Sequence, residues 1–212
     1  MKIKVWDLPT RLFHWTLFLA VLGSFISADE GGNSIEWHAR FGYFILSLLL
    51  FRLVWGFVGS HYAKFFNFIR SPKSVLAYLK NPQEMAGHNP LGALSVMALL
   101  GFLLLQAVTG LFASDDIAFE GPFAKYVSSF WVDFLTTVHR ADESVLITLI
   151  ALHISAIIYY RWFKKVNLVK PMMTGTKEWA EKIPVARDDF LLRLFAATIY
   201  VAIAGTLYYF LR

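Results

Sequence analysis

Residues 139–163, HRADESVLITLIALHISAIIYYRWF, form an apolar run with a histidine at its start and another inside it. About 20 such residues suffice to cross a bilayer as a helix. His139 and His153 are 14 positions apart, just under four helical turns, so they share one face at levels roughly 21 Å apart. A histidine within a membrane span is costly unless something uses it. Two on one stripe point to two stacked ligand sites, for which the rest of the chain must supply partners.

Four further runs have spanning length: 12–28, 37–59, 90–113 and 190–211. The expected fold class is therefore all-α, a transmembrane helical bundle. Only 17% of the 212 residues are charged and 57% are hydrophobic, against about a quarter charged in soluble domains. The basic start and first apolar run also resemble a signal peptide cleaved after Ala28. Ile26 is too large for the small-residue position of such a site, and His14-Trp15 is unusual in a signal core, so 12–28 is expected to stay as a span. Ser71-Pro72 predicts the start of a short helix in the loop 60–89, and Asn89-Pro90 opens the third span. Phe65, Phe66 and Phe68 predict a loop that hugs the membrane interface. Within 122–138, Phe123, Tyr126, Val127, Phe130, Trp131, Phe134, Leu135 and Val138 recur at helical spacing. That pattern predicts an amphipathic helix on the membrane surface, which either rests on lipid or docks a partner.

The net charge of +5 follows the membrane-orientation pattern and is no signature of nucleic-acid binding. Lysine and arginine gather at the N-terminus and in 60–89 and 164–189. The acidic segments 29–36 and 114–138 contain only Lys125 between them. The positive-inside rule then places the N-terminus in the cytoplasm and, with five spans, the C-terminus outside.

On this topology His38 and His139 fall at the outer level, and His14 and His153 at the inner one. Two levels of two imidazoles suit two six-coordinate haems b. Zinc would need three or four ligands close together. The chain has no cysteine, which excludes iron–sulfur clusters, thiolate metal sites and covalent c-type haem. Arg52 lies 14 residues after His38, at the depth of His153. It either meets a haem propionate or snorkels to the cytoplasmic headgroups. Arg40 and Arg140 are weaker candidates for the outer propionates. Gly42, one turn from His38, either opens space for a flat macrocycle or serves close helix packing. His61 is expected to act in cap chemistry after Gly59-Ser60. His88 either caps the third span or sits at a quinone pocket, the cap being the stronger expectation. A haem-free anchor or transporter, with the histidines as a proton relay, is the reading from a different class.

Arg11-x-x-His14-Trp15, His38-x-x-x-Gly42, Arg52-x-x-Trp55-Gly56-x-x-Gly59, Gly87-His88-Asn89-Pro90, and His139-Arg140 with His153 resemble the bacterial cytochrome b561 family. Within it the likeness is strongest to the b-type cytochrome subunit of membrane-bound nickel–iron hydrogenases. The resemblance implies a four-helix haem-binding bundle over about 1–178, with 179–212 as linker and an additional C-terminal helix. It implies ligand pairs His14/His153 and His38/His139, and a location in the bacterial inner membrane. It also implies electron transfer between a periplasmic redox partner, a hydrogenase or c-type cytochrome, and the quinone pool. A self-sufficient quinone-linked oxidoreductase, such as a superoxide oxidase, is the alternative with the same cofactor.

Overall fold

The computed structural model describes residues 1–28, 34–117 and 119–211. Five helices are long and apolar enough to cross a membrane: α1 (Leu8–Ala28), α2 (Ser34–Val58), α5 (Pro90–Gly110), α6 (Ser129–Trp162) and α8 (Phe190–Leu211). Shorter elements lie between them: α3 (Phe65–Phe68), α4 (Pro72–Lys80), α7 (Val169–Thr174), and the strands β1 (Lys2–Lys4) and β2 (Thr176–Glu178). The fold is a helical membrane bundle, as expected. The acidic turn expected over 29–36 lies largely outside the described residues.

The surface helix expected over 122–138 is not a separate element. Residues 124–126 form one 3₁₀ turn, and from Ser129 the chain runs straight into the fourth span as a single helix of 34 residues. No glycine or proline lies between Ser129 and Trp162 to break it. At 1.5 Å per residue α6 is about 51 Å long, well beyond a hydrocarbon core of about 30 Å.

The chain forms two compact units. The first comprises residues 1–13, 52–99 and 149–198; the second comprises the described residues of 14–51, 100–148 and from 199 on. In the first, β1 pairs antiparallel with β2, Ile3 opposite Lys177. The terminal amine donates to the Trp179 carbonyl at 2.9 Å. Ile3, Val5 and Trp6 are buried against Tyr62, Ala86, Met172, Trp179 and Ile183. Gly175 ends α7 at φ 81°, a conformation glycine adopts without penalty. Its carbonyl accepts from the Val5 and Trp6 amides, and a Cβ there would meet the Trp6 carbonyl oxygen at 2.8 Å.

α1 begins at Leu8, four residues before the expected boundary, because Asp7 caps it. The fully buried Asp7 accepts from Thr10 N at 2.7 Å and from Trp55 Nε1 at 3.2 Å. Ser71 caps α4 by accepting from Ser74 N, with Pro72 at the first turn, as the sequence predicts. Asn89 caps α5 through Gly92 N at 2.7 Å. His88 is therefore not the cap. Its ring packs between Trp6 and Phe68, with centroids 4.7 and 4.5 Å away. His61 does not cap α2 either: its carbonyl accepts from Asn67 Nδ2 at 2.7 Å, which braces the loop. Only Phe66 of the Phe65, Phe66, Phe68 trio is exposed; the other two are buried, so the loop folds inward on two of its three rings.

Asp188 anchors the segment entering α8. Its enclosed carboxylate accepts from Arg193 Nε and Nη2, both at 2.9 Å, and from Leu8 N at 3.1 Å, with Lys4 Nζ at 3.5 Å. Burial alone would raise this carboxyl, but the hydrogen bonds from Arg193 and Leu8 and the charges of Arg193 and Lys4 outweigh it. The group is held below the ordinary carboxylate range.

Candidate functional site: a paired-histidine cavity

The second unit holds a cavity of about 600 Å³, lined by residues from α1, α2, α5 and α6 and by Leu111, Ala113, Ser114, Asp115, Ile117 and Phe119. That is within the range of small-molecule and cofactor sites. His38 and His139 face into it, their ring centroids 6.1 Å apart and their planes nearly perpendicular at 89°.

Each ring is fixed by a backbone carbonyl. His38 Nδ1 lies 3.0 Å from Ser24 O, and His139 Nδ1 lies 2.9 Å from Gln106 O. A carbonyl only accepts, so both rings carry the proton on Nδ1 and keep the Nε2 lone pair for another partner. Holding the far nitrogen in this way fixes the tautomer and orientation of a metal-binding imidazole.

The spacing fits a metal bridged by two imidazoles. Two metal–nitrogen bonds of about 2.0 Å, with about 1.1 Å from each nitrogen to its ring centre, place the centroids roughly 6.2 Å apart. Gln106 Nε2 sits 3.2 Å from His139 Nε2, so that carboxamide must turn for Nε2 to take a metal. Glycines supply the room. A Cβ at Gly42 would meet nothing within 4 Å, so this cavity-lining position keeps open space beside His38. A Cβ at Gly110 would come 2.9 Å from His139 Cε1. Cavity, donors and open faces together fit a flat iron porphyrin.

The arginines divide. Arg140 lines the cavity. Arg40 is exposed; it donates to Glu36 Oε2 at 3.3 Å, stacks over Trp37, and faces a different groove. Arg52, in the first unit, is 3% exposed and lies over the Phe65 ring. Its Nη2 donates to Ala63 O at 3.0 Å, and Nη1 has no partner among the described residues. His14, in the second unit, packs edge-on to Trp15, and His153, in the first unit, is half-buried on α6.

Sequence reasoning missed Ser24, Gln106, Gly110 and Thr109, whose Oγ1 lies 3.2 Å from His139 Nδ1. A signal was available in α5. After Ser95, its only hydrogen-bonding side chains are Gln106 and Thr109, one turn apart in an otherwise apolar helix and next to Gly110. Asp142, one turn beyond His139, was missed as well. It is 4% exposed, and neither carboxylate oxygen has a hydrogen-bond partner among the described residues.

The family model of prokaryotic cytochrome b561 matches residues 5–175. The chain is 23% identical to a probable Ni/Fe-hydrogenase B-type cytochrome subunit of Bradyrhizobium diazoefficiens, over 84% of this chain and 87% of that protein. It is 24% identical to a protein of the same description from Azotobacter vinelandii, over 86% and 91%. The corresponding protein of Azotobacter chroococcum is 23% identical, over 86% and 91%. No solved structure matches the chain. With five candidate spans and a family match over most of its length, the chain belongs to the prokaryotic cytochrome b561 family, multi-pass membrane proteins of electron transfer that carry haem b.

Proposed function

We propose that the protein is a di-haem b-type cytochrome of the bacterial inner membrane, with its N-terminus in the cytoplasm. It passes electrons between a periplasmic redox partner, a hydrogenase or a c-type cytochrome, and the quinone pool. The observation that carries this reading is the His38/His139 pair, two imidazoles at metal-bridging separation with each Nδ1 held by a carbonyl. The named relatives support a hydrogenase as the partner. The asymmetry of lysine and arginine between the two sets of loops supports the orientation.

A haem bound between two imidazoles would supply one-electron redox chemistry. The chain's own groups do the rest. His38 and His139 would hold the outer haem; Ser24 O and Gln106 O keep those rings in the metal-binding tautomer. Gly42 leaves the macrocycle its space, and Arg140 offers charge to a propionate. His14 and His153 would hold the inner haem, a reading supported by the 14-residue spacing of His139 and His153 on the fourth span. Arg52, buried with Nη1 lacking a hydrogen-bond partner among the described residues, would offer a cation to an inner propionate. Of the two candidates for the outer propionates, Arg40 serves least, being engaged by Glu36. Residues 1–178 are the haem-binding part, and 179–212 add a linker and α8.

Single and paired substitutions test this. His139→Ala is expected to halve the haem content of purified protein, and His38→Ala/His139→Ala to remove no more than either single change. His153→Ala is expected to remove the other half. Full haem content in His139→Ala would refute the assignment.

A further inference from the structure

Two stretches of the first unit, residues 60–83 and 154–177, contain no aspartate or glutamate. Between them they carry Arg70, Lys73, Lys80, Arg161, Lys164 and Lys165, all exposed. None of these six makes an ion pair among the described residues, and Glu84, the first acid beyond residue 83, is taken by Lys177 at 2.9 Å.

The fold brings the two stretches together. Tyr78 of α4 is buried, and its hydroxyl lies 2.8 Å from the hydroxyl of Tyr160 near the end of α6. Asn89 Nδ2 donates to the same Tyr160 oxygen at 2.8 Å. α4 is thus held to the end of α6 by its inner face. At 3.6 residues per turn, Leu76 and Lys80 fall opposite Tyr78, with Leu79 next to Leu76 and Lys73 next to Lys80. Leu76 and Leu79 are 60% and 55% exposed, and Phe66, just before α4, is 78% exposed. At the end of α6, Trp162 and Phe163 are 68% and 72% exposed beside Arg161, Lys164 and Lys165. Lys165 holds a left-handed φ of 59° at the turn after α6, a conformation that favours glycine. Val166 N closes that turn on Tyr160 O at 3.0 Å. A solvated loop would show its lysines and hide its leucines. Leucines and rings exposed beside cations are instead the pattern of a segment lying in the membrane interface.

We propose that this face, α4 together with the end of α6, binds an anionic phospholipid. Its acyl chains would cover Leu76 and Leu79, and its phosphodiester would sit in the field of Lys73, Lys80, Lys164 and Lys165. A nucleic acid or an acidic peptide would match the cations and leave the leucines and rings in water. A zwitterionic lipid would match the apolar groups and leave the cations uncompensated. An anionic lipid meets both demands. This site is independent of the haem and quinone reading above.

The test is titration of delipidated, full-length protein in dodecylmaltoside with dioleoylphosphatidylglycerol or dioleoylphosphatidylcholine, with bound lipid counted by native mass spectrometry and inorganic phosphate added as a competitor. The wild type is expected to bind phosphatidylglycerol saturably and on the order of tenfold or more tighter than phosphatidylcholine. Each basic side chain near an anionic headgroup contributes about fivefold, so Lys73→Gln/Lys80→Gln should weaken phosphatidylglycerol binding about 25-fold. Its phosphatidylcholine binding should be unchanged, which also shows that the variant is folded. Lys2→Gln/Lys182→Gln removes the same charge from exposed positions elsewhere in the unit and should bind both lipids as the wild type does. Equal wild-type affinity for the two lipids, or equal losses in the two double variants, would overturn the inference. Full displacement of phosphatidylglycerol by inorganic phosphate would make the face a free-anion site and overturn it as well.

Discussion

Gly110→Ala is the smallest change that strikes the histidine cavity. The added Cβ would lie 2.9 Å from His139 Cε1 and 3.3 Å from Nδ1. Carbon atoms rest at about 3.5–4.0 Å, so the ring must retreat by roughly 0.6–1.1 Å. That displacement stretches the 2.9 Å contact between His139 Nδ1 and Gln106 O past the useful range. The lost hydrogen bond is worth about 1 kcal/mol, and an off-rotamer ring costs about 0.5–1.5 kcal/mol more. Together these reach about 2 kcal/mol, more than tenfold in haem affinity. Haem titration of the purified apoprotein in detergent, followed by its difference spectrum, measures this at the outer site. Gly101→Ala is the control, since a Cβ there meets nothing within 4 Å. It should bind haem as the wild type does. Equal affinity in Gly110→Ala and Gly101→Ala would refute the claim that Gly110 seats the His139 ring.

The remaining predictions concern stability. The Asp188 carboxyl is held low in the folded state, so its contribution is present above the ordinary carboxylate pKa of about 3.9 and is lost as pH falls through the depressed folded value. Thermal melts should show Asp188→Asn less stable than wild type at pH 7, with the gap closing below pH ~4; a gap independent of pH would contradict the assigned cause. Asp7→Ala removes the α1 cap and the acceptor of Trp55 Nε1, and should destabilise by about 1–3 kcal/mol, whereas Asp7→Asn should recover most of that in the same melts. Asp142→Asn removes a buried charge that lacks a hydrogen-bond partner among the described residues. It should raise the melting temperature, since an unpaired buried ion costs several kcal/mol; a lower melting temperature would mean that the carboxylate is satisfied by a group it does not hydrogen-bond directly.

Membrane insertion makes much of this fold legible in one dimension. A span must satisfy its backbone internally and present apolar side chains outward, so hydropathy alone located all five helices. Cap chemistry is local, so Ser71-Pro72 and Asn89-Pro90 also marked their helix starts correctly. The nearness of His38 and His139 was legible because alternating spans and a fixed rise per residue place the start of the second span and the start of the fourth at the same end. Helix continuity through Ser129 was not legible as a whole. The amphipathic pattern of 122–138 was read as a separate surface element, when its C-terminal part was the projecting end of a helix longer than the bilayer core.

The sequence by itself determined the number of spans, the shared face of His139 and His153 on one helix and the lack of any cysteine thiolate in this chain, because these depend on composition and on spacing along single helices. Only the tertiary structure decided that Ser24 O and Gln106 O hold the two rings, that Gly110 seats one of them, and that Arg40 lines a groove with α8. Those facts depend on how helices distant in sequence rotate and close upon one another. Rotation about a helix axis is set by the packing of many side chains together, and no single span encodes it.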